Sequence, residues 1–96
     1  MKILINKMEN ELCFRIDVLS PEHAQNDQEI FNLHAVRELK KIYTITDTTT
    51  THGGKLLFYL EKPFTIDEIK IDIERTLSDA FPFIQIDFTY NDRTKK

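Results

Sequence analysis

The stretch Lys55-Leu56-Leu57-Phe58-Tyr59-Leu60-Glu61-Lys62-Pro63-Phe64-Thr65-Ile66-Asp67-Glu68 changes its hydrophobic period halfway along. Up to Glu61, Leu56, Phe58 and Leu60 alternate with Leu57 and Tyr59, the period of a half-buried strand. Pro63 brings no backbone N–H to a sheet ladder and stops that strand. Thr65 and Glu68 then have the spacing of a capping box, and Phe64 and Ile69 occupy the staple positions around it. Beyond the cap, Ile66, Ile69, Ile73, Leu77 and Ala80 recur every three or four residues, while Asp67, Asp72, Arg75 and Asp79 fall on the other side. A strand therefore passes directly into an amphipathic helix that ends near Phe81-Pro82.

Upstream, Ile42 to Asp47 is β-branched and aromatic, and it is separated from Lys55 to Glu61 by Thr48 to Thr51 and His52-Gly53-Gly54. That spacing predicts a β-hairpin with a Gly-Gly turn. Before it, Phe31, Ala35, Leu39 and Ile42 form the apolar stripe of a helix over Asp27 to Lys41, with Arg37, Lys40 and Lys41 at the end where the helix dipole favours cations. Ser20-Pro21-Glu22 offers one start for this helix. Gln25-Asn26-Asp27, with Asn26 as cap and Glu29 at N3, offers the preferred one. Ile30 and Leu33 fall off the stripe.

Glu11 to Leu19 alternates Leu12, Phe14, Ile16 and Val18 against Cys13, Arg15 and Asp17, and is read as a strand. Lys2 to Ile5 is β-prone and precedes it across the polar Asn6 to Asn10, which suggests an N-terminal hairpin. At the other end, Phe83 to Tyr90 sets Ile84, Ile86, Phe88 and Tyr90 on one side. The order is thus a leading strand followed by β-α-β-β-α-β. That is the α+β, ferredoxin-like split β-α-β signature, an antiparallel sheet with both helices on one face. Residues 1–90 form the expected domain and 91–96 a polar, basic tail. The leading strand has no slot in that arrangement, and it must extend an edge, displace a neighbour or pair with a second subunit.

At 96 residues and 11.4 kDa the chain has room for one core. Apolar residues make up 41%, and Gly and Pro are few, which argues for a globular fold over a disordered one. The formal charge of −3 provides none of the attraction that sequence-blind nucleic-acid binding uses. Without the tail, ten basic and fifteen acidic residues remain, so the body is distinctly acidic. A single cysteine, Cys13, rules out an internal disulfide, and the apolar start Met1 to Ile5 is interrupted by Glu9, Glu11 and Arg15 before it reaches the length of a leader or membrane span. A cytoplasmic location and no membrane partner are expected.

Cys13, His23, His34, Asp47 and His52 have the chemistry of metal ligands, but no two stand at a ligand spacing, so no metal and no cofactor are expected. No nucleophile lies beside a base, and Gly53-Gly54 joins strands rather than leading into a helix, so neither covalent catalysis nor a phosphate cradle is indicated. Asp17 is read as a solvated carboxylate. The helix-free sheet face is expected to display Arg15, Asp17, Thr44, Thr46, Leu57, Tyr59, Gln85 and Asp87. An RNA-binding sheet face is the third and weakest reading, because Tyr59 stands nearly alone there beside two carboxylates, whereas an RNA-recognition sheet needs stacking aromatics and a basic surround. The sequence-based expectation is a non-enzymatic protein-interaction or regulatory module, homodimeric through that face (Arg15, Leu57, Tyr59, Gln85, Asp87) or through its leading strand. The alternative is an acidic inhibitor of a basic, nucleic-acid-handling enzyme, docking through Asp67, Glu68, Asp72, Glu74 and Asp79 on the second helix.

Overall fold

The computed structural model describes residues 1–19, 24–51 and 55–94. Its elements follow the order β1 (Lys2–Lys7), β2 (Cys13–Val18), α1 (Ala24–Leu39), β3 (Ile45–Thr50), β4 (Leu56–Leu60), α2 (Ile66–Ala80) and β5 (Asp87–Asp92). The strands form one sheet in the order β3-β4-β2-β1-β5. This is an α+β fold whose element order roughly follows the split β-α-β pattern with an added first strand.

That first strand sits inside the sheet. It pairs antiparallel with β2, Ile3 opposite Val18 and Ile5 opposite Ile16, and parallel with β5, Ile3 opposite Phe88 and Ile5 opposite Tyr90. The sheet is therefore mixed, not wholly antiparallel. Inserting β1 moves β5 one place outward without reversing it, because a strand antiparallel to β2 and parallel to β5 leaves those two antiparallel to each other. Among the three placements open in the sequence, β1 displaces a neighbour. It neither extends an edge nor waits for a second subunit.

From the central strands Ile3, Ile5, Phe14, Ile16 and Phe58 face the helices with no exposed surface, and Lys7, on the same side of β1, lays its ammonium over the Phe64 ring. Phe14 stacks on Phe58 at 5.1 Å and meets Phe64 edge-on at 5.6 Å, geometry that aromatic quadrupoles favour. From above, α1 contributes Phe31, Ala35 and Leu39, and α2 contributes Ile69, Ile73 and Leu77. The Thr65 cap forms as its spacing predicts: the Glu68 amide donates to Thr65 Oγ1 at 3.2 Å, and the staple partners Phe64 and Ile69 are both buried.

Several boundaries move. Asn6 and Lys7 belong to β1 and are buried, so the hairpin turn begins at Met8, where Leu12 N–H donates to Asn10 Oδ1. Asn26 lies within α1 and does not cap it. The helix stops at Leu39, whose carbonyl accepts from both Ile42 and Tyr43, and this tight turn leaves Ile42 exposed instead of in the stripe. Strand β3 starts only at Ile45 and takes in Thr48 and Thr49, because Phe58 and Leu57 on β4 offer them ladder partners. The last strand starts at Asp87 and not at Phe83, since Ile84 N–H turns back to the Phe81 carbonyl; it continues through Asp92, two residues into the stretch read as tail. The Ser20-Pro21-Glu22 start and the Gly53-Gly54 turn lie outside the described residues.

The two isoleucines Ile71 and Ile73 test the phase of α2, one 71% exposed and the other fully buried. Ile73→Ala is expected to cost about 2–5 kcal/mol in urea unfolding and Ile71→Ala well under about 1 kcal/mol. Equal losses would mean that α2 presents a different face to the sheet.

Candidate interaction surfaces

On the side of the sheet away from the core, register places Asn91, Asn6, Arg15, Leu57 and Thr49 in one row across all five strands. The row beside it contains Thr89, Leu4 and Asp17. Arg15 and Asp17 are two residues apart on one strand and thus share this face. The guanidinium grips the carboxylate with two bonds, Nε to Oδ1 at 2.8 Å and Nη2 to Oδ2 at 2.9 Å. Asn6 Nδ2 donates to Asp17 Oδ2 at 3.1 Å, and Asn6 Oδ1 accepts from Asn91 at 3.1 Å. The Lys55 ammonium lies 3.6 Å from the same carboxylate.

Asp17 is only 2% exposed, which corrects its reading as a solvated carboxylate. A buried charge needs an opposite charge and saturated hydrogen bonding, and this one has both. Because both oxygens are occupied by donors, Asp17 acts as the hub of a network tying β5, β1 and β2 together, with Lys55 reaching in beside β4.

The remaining residues expected on this face are dispersed. Tyr59 is half-buried, opposite Cys13 on one side and Asp47 on the other. The Cys13 thiol is buried, and desolvation pushes its pKa up against the smaller opposing effects of a Tyr59 hydrogen bond and the Arg15 charge. Thr44 and Gln85 fall outside the strands, the Gln85 carbonyl accepting from the N-terminal ammonium at 2.9 Å. Thr46 donates its hydroxyl to the Tyr59 carbonyl where the β3–β4 register shifts. Asp87 opens β5 opposite Lys2. Arg15 is thus committed to Asp17, and Leu57 and Tyr59 are only partly accessible.

The acidic residues of α2 divide into two groups. Asp67, Glu68 and Asp79 are exposed, and Asp72 pairs with Arg75 one turn on. Glu74 is half-buried, its Oε2 accepting from the Tyr90 hydroxyl at 2.8 Å while Lys70 lies over the Tyr90 ring. Burial, and then that hydrogen bond, push the Tyr90 phenol well above its ordinary value. Tyr43 is pushed up to about 12, first by burial and then by the Asp72 charge. Its hydroxyl, buried and without a hydrogen-bond partner among the described residues, belongs to a residue lining an open cleft of about 380 Å³ between the β3 approach and α2.

Of the metal-type residues, His34 lies edge-on to Phe81 with its Nδ1 3.2 Å from Arg37 Nη2, and His23 and His52 are outside the described residues. Among the described residues no three His, Cys, Asp or Glu side chains converge, and no helix is long and apolar enough to cross a membrane.

Large apolar side chains are exposed on α1, on α2 and in the turn after α2. Phe83 is 99% exposed, Leu33 76% and Ile30 57%. Phe81, two residues before Phe83, stacks on Phe31 of α1 at 5.5 Å and meets His34 edge-on. The signal for the α1 part of this surface was legible as Ile30 and Leu33 falling off the buried stripe. No family model, curated protein or solved structure matches the chain.

Two measurements check these assignments. Asp17→Ala strands Arg15 beside Asn6 and is expected to cost about 3 kcal/mol or more of unfolding free energy, as loss of one partner from a buried pair does; a loss below about 1 kcal/mol would reduce the network to an ordinary surface pair. Tyr43 is neutral in the fold and raised from 10.0 to about 12, so the stability linked to it is present below pH 10 and lost as pH rises through about 12. Phenolate absorbance should show a tyrosine titrating near 12, and Asp72→Asn should lower that midpoint.

Proposed function

We propose that this chain is a non-enzymatic interaction module that self-associates through the outer face of its helix layer. The observation that supports this is the exposure of Leu33 and Ile30 on the outer side of α1, with Phe83 fully exposed in the turn after α2. Single exposed apolar side chains are ordinary, but large ones gathered on one patch are what protein contacts bury. A second copy is the favoured occupant because the α1 part of the patch is flanked by Glu29 and Arg37, opposite charges that a two-fold rotation brings together. The sheet face is a weaker candidate than the sequence suggested, since its charges satisfy one another, and strand exchange through β1 loses its rationale because both edges of β1 are paired.

Light scattering in the micromolar range is expected to give about twice the 11.4 kDa chain mass. Leu33→Asp and Phe83→Asp should return the monomer, and Tyr59→Asp should leave the dimer intact. A dimer broken only by Tyr59→Asp would transfer the contact to the sheet. A wild-type mass near 11.4 kDa would overturn self-association and favour a basic partner for the exposed carboxylates of α2.

A further inference from the structure

We infer that two copies pair α1 against α1 in antiparallel register centred on Leu33, so that Arg37 of each chain meets Glu29 of the other. This rests on the self-association proposed above and specifies its geometry. The buried side of α1 is set by Phe31, Ala35 and Leu39, and at about 100° per residue the opposite side carries Ile30, Leu33 and Arg37, with Glu29 on its flank. Glu29, Ile30, Leu33 and Arg37 are exposed. They have the spacing of a helix-packing ridge with an apolar centre and a charge at each end.

The placement of the charges selects the orientation. Glu29 and Arg37 each stand four residues from Leu33, about 6 Å along the axis on either side. With the helices antiparallel and Leu33 against Leu33, each Arg37 faces a Glu29, giving two equivalent ion pairs around a central apolar contact. A parallel pairing would set Arg37 against Arg37 and Glu29 against Glu29. In the single chain Arg37 contacts Glu38 at 3.2 Å and lies 3.2 Å from His34 Nδ1, and with its side chain 65% exposed these contacts hold it weakly. Glu38 keeps Lys41 at 3.3 Å if Arg37 turns away, so the exchange orphans no charge.

Sedimentation equilibrium of the full chain and of charge-reversed variants tests this. Arg37→Glu leaves two acids on each ridge and Glu29→Arg leaves two bases, so each variant alone should dimerise about tenfold or more weakly than wild type. An equimolar mixture of the two should recover tight association as a heterodimer, and the double variant carrying both changes should recover it within one chain. Circular dichroism checks that all four proteins remain folded. A dimer indifferent to both reversals, or a mixture that fails to associate, overturns the register while leaving self-association standing. A wild-type chain that stays monomeric overturns both.

Discussion

The architecture depends on β1 being paired along both edges. Backbone amides and carbonyls in the middle of a sheet must find partners, and β1 supplies them to β2 on one side and to β5 on the other. Bonds beyond the regular ladder continue this role: Leu19 N–H reaches the Lys2 carbonyl, Asp87 N–H the Met1 carbonyl and Arg93 N–H the Lys7 carbonyl. The first residues of the chain thereby hold its last strand. Without β1, β5 would have no ladder partner in this arrangement, and the Phe88 and Tyr90 side chains would lose the Ile3 and Ile5 neighbours beside which they pack.

The position of β1 also explains why the helix-free face is polar and still largely closed. Inserting a strand between β2 and β5 sets Asn6 beside Arg15 and Asn91, and the side chains of three strands then reach one another. Asp17 is satisfied by Arg15, Asn6 and Lys55, and Asn6 hands its own oxygen to Asn91. Such networks stabilise mainly by geometry: removing one member leaves the others buried and unpaired, so the set specifies one strand register more than it deepens the energy well. The face most open to solvent in an unadorned split β-α-β sheet is here occupied by its own charges. The most exposed apolar side chains, Phe83 and Leu33, lie away from this face, in the turn after α2 and on α1.

Much of the fold was legible from local chemistry. The Thr65 cap, the stripe of α2, and the alternation of β2 and β4 each arise from neighbouring residues whose geometry is set by backbone dihedrals, so period and spacing were sufficient. Boundaries near β3, β5 and the first hairpin were less legible, because they depend on which strand lies alongside. Thr48 and Thr49 resemble a loop until Phe58 and Leu57 pair with them, and Asn6 resembles a turn residue until β5 lies beside it. The candidate surface was only half visible: Ile30 and Leu33 stood out as misfits on their helix, whereas the exposure of Phe83 depends on the turn that sends Ile84 back to Phe81.

The sequence by itself determined the class of fold, the two helices, the apolar set that fills the core and the chain's acidity, since all of these follow from composition and from periods of two and 3.6 residues. Only the tertiary structure decided where β1 goes, that its pairing with β5 is parallel, that Asp17 is a buried hub and not a solvated acid, and that the most exposed apolar side chains, Phe83, Leu33 and Ile71, lie on the helices and in the turn after α2. These are non-local facts. Strand order joins residues more than eighty positions apart, such as Ile3 and Phe88, and the burial of a carboxylate depends on side chains brought in by three other segments. No spacing along the chain encodes such neighbours, because they arise only once the ladder has closed.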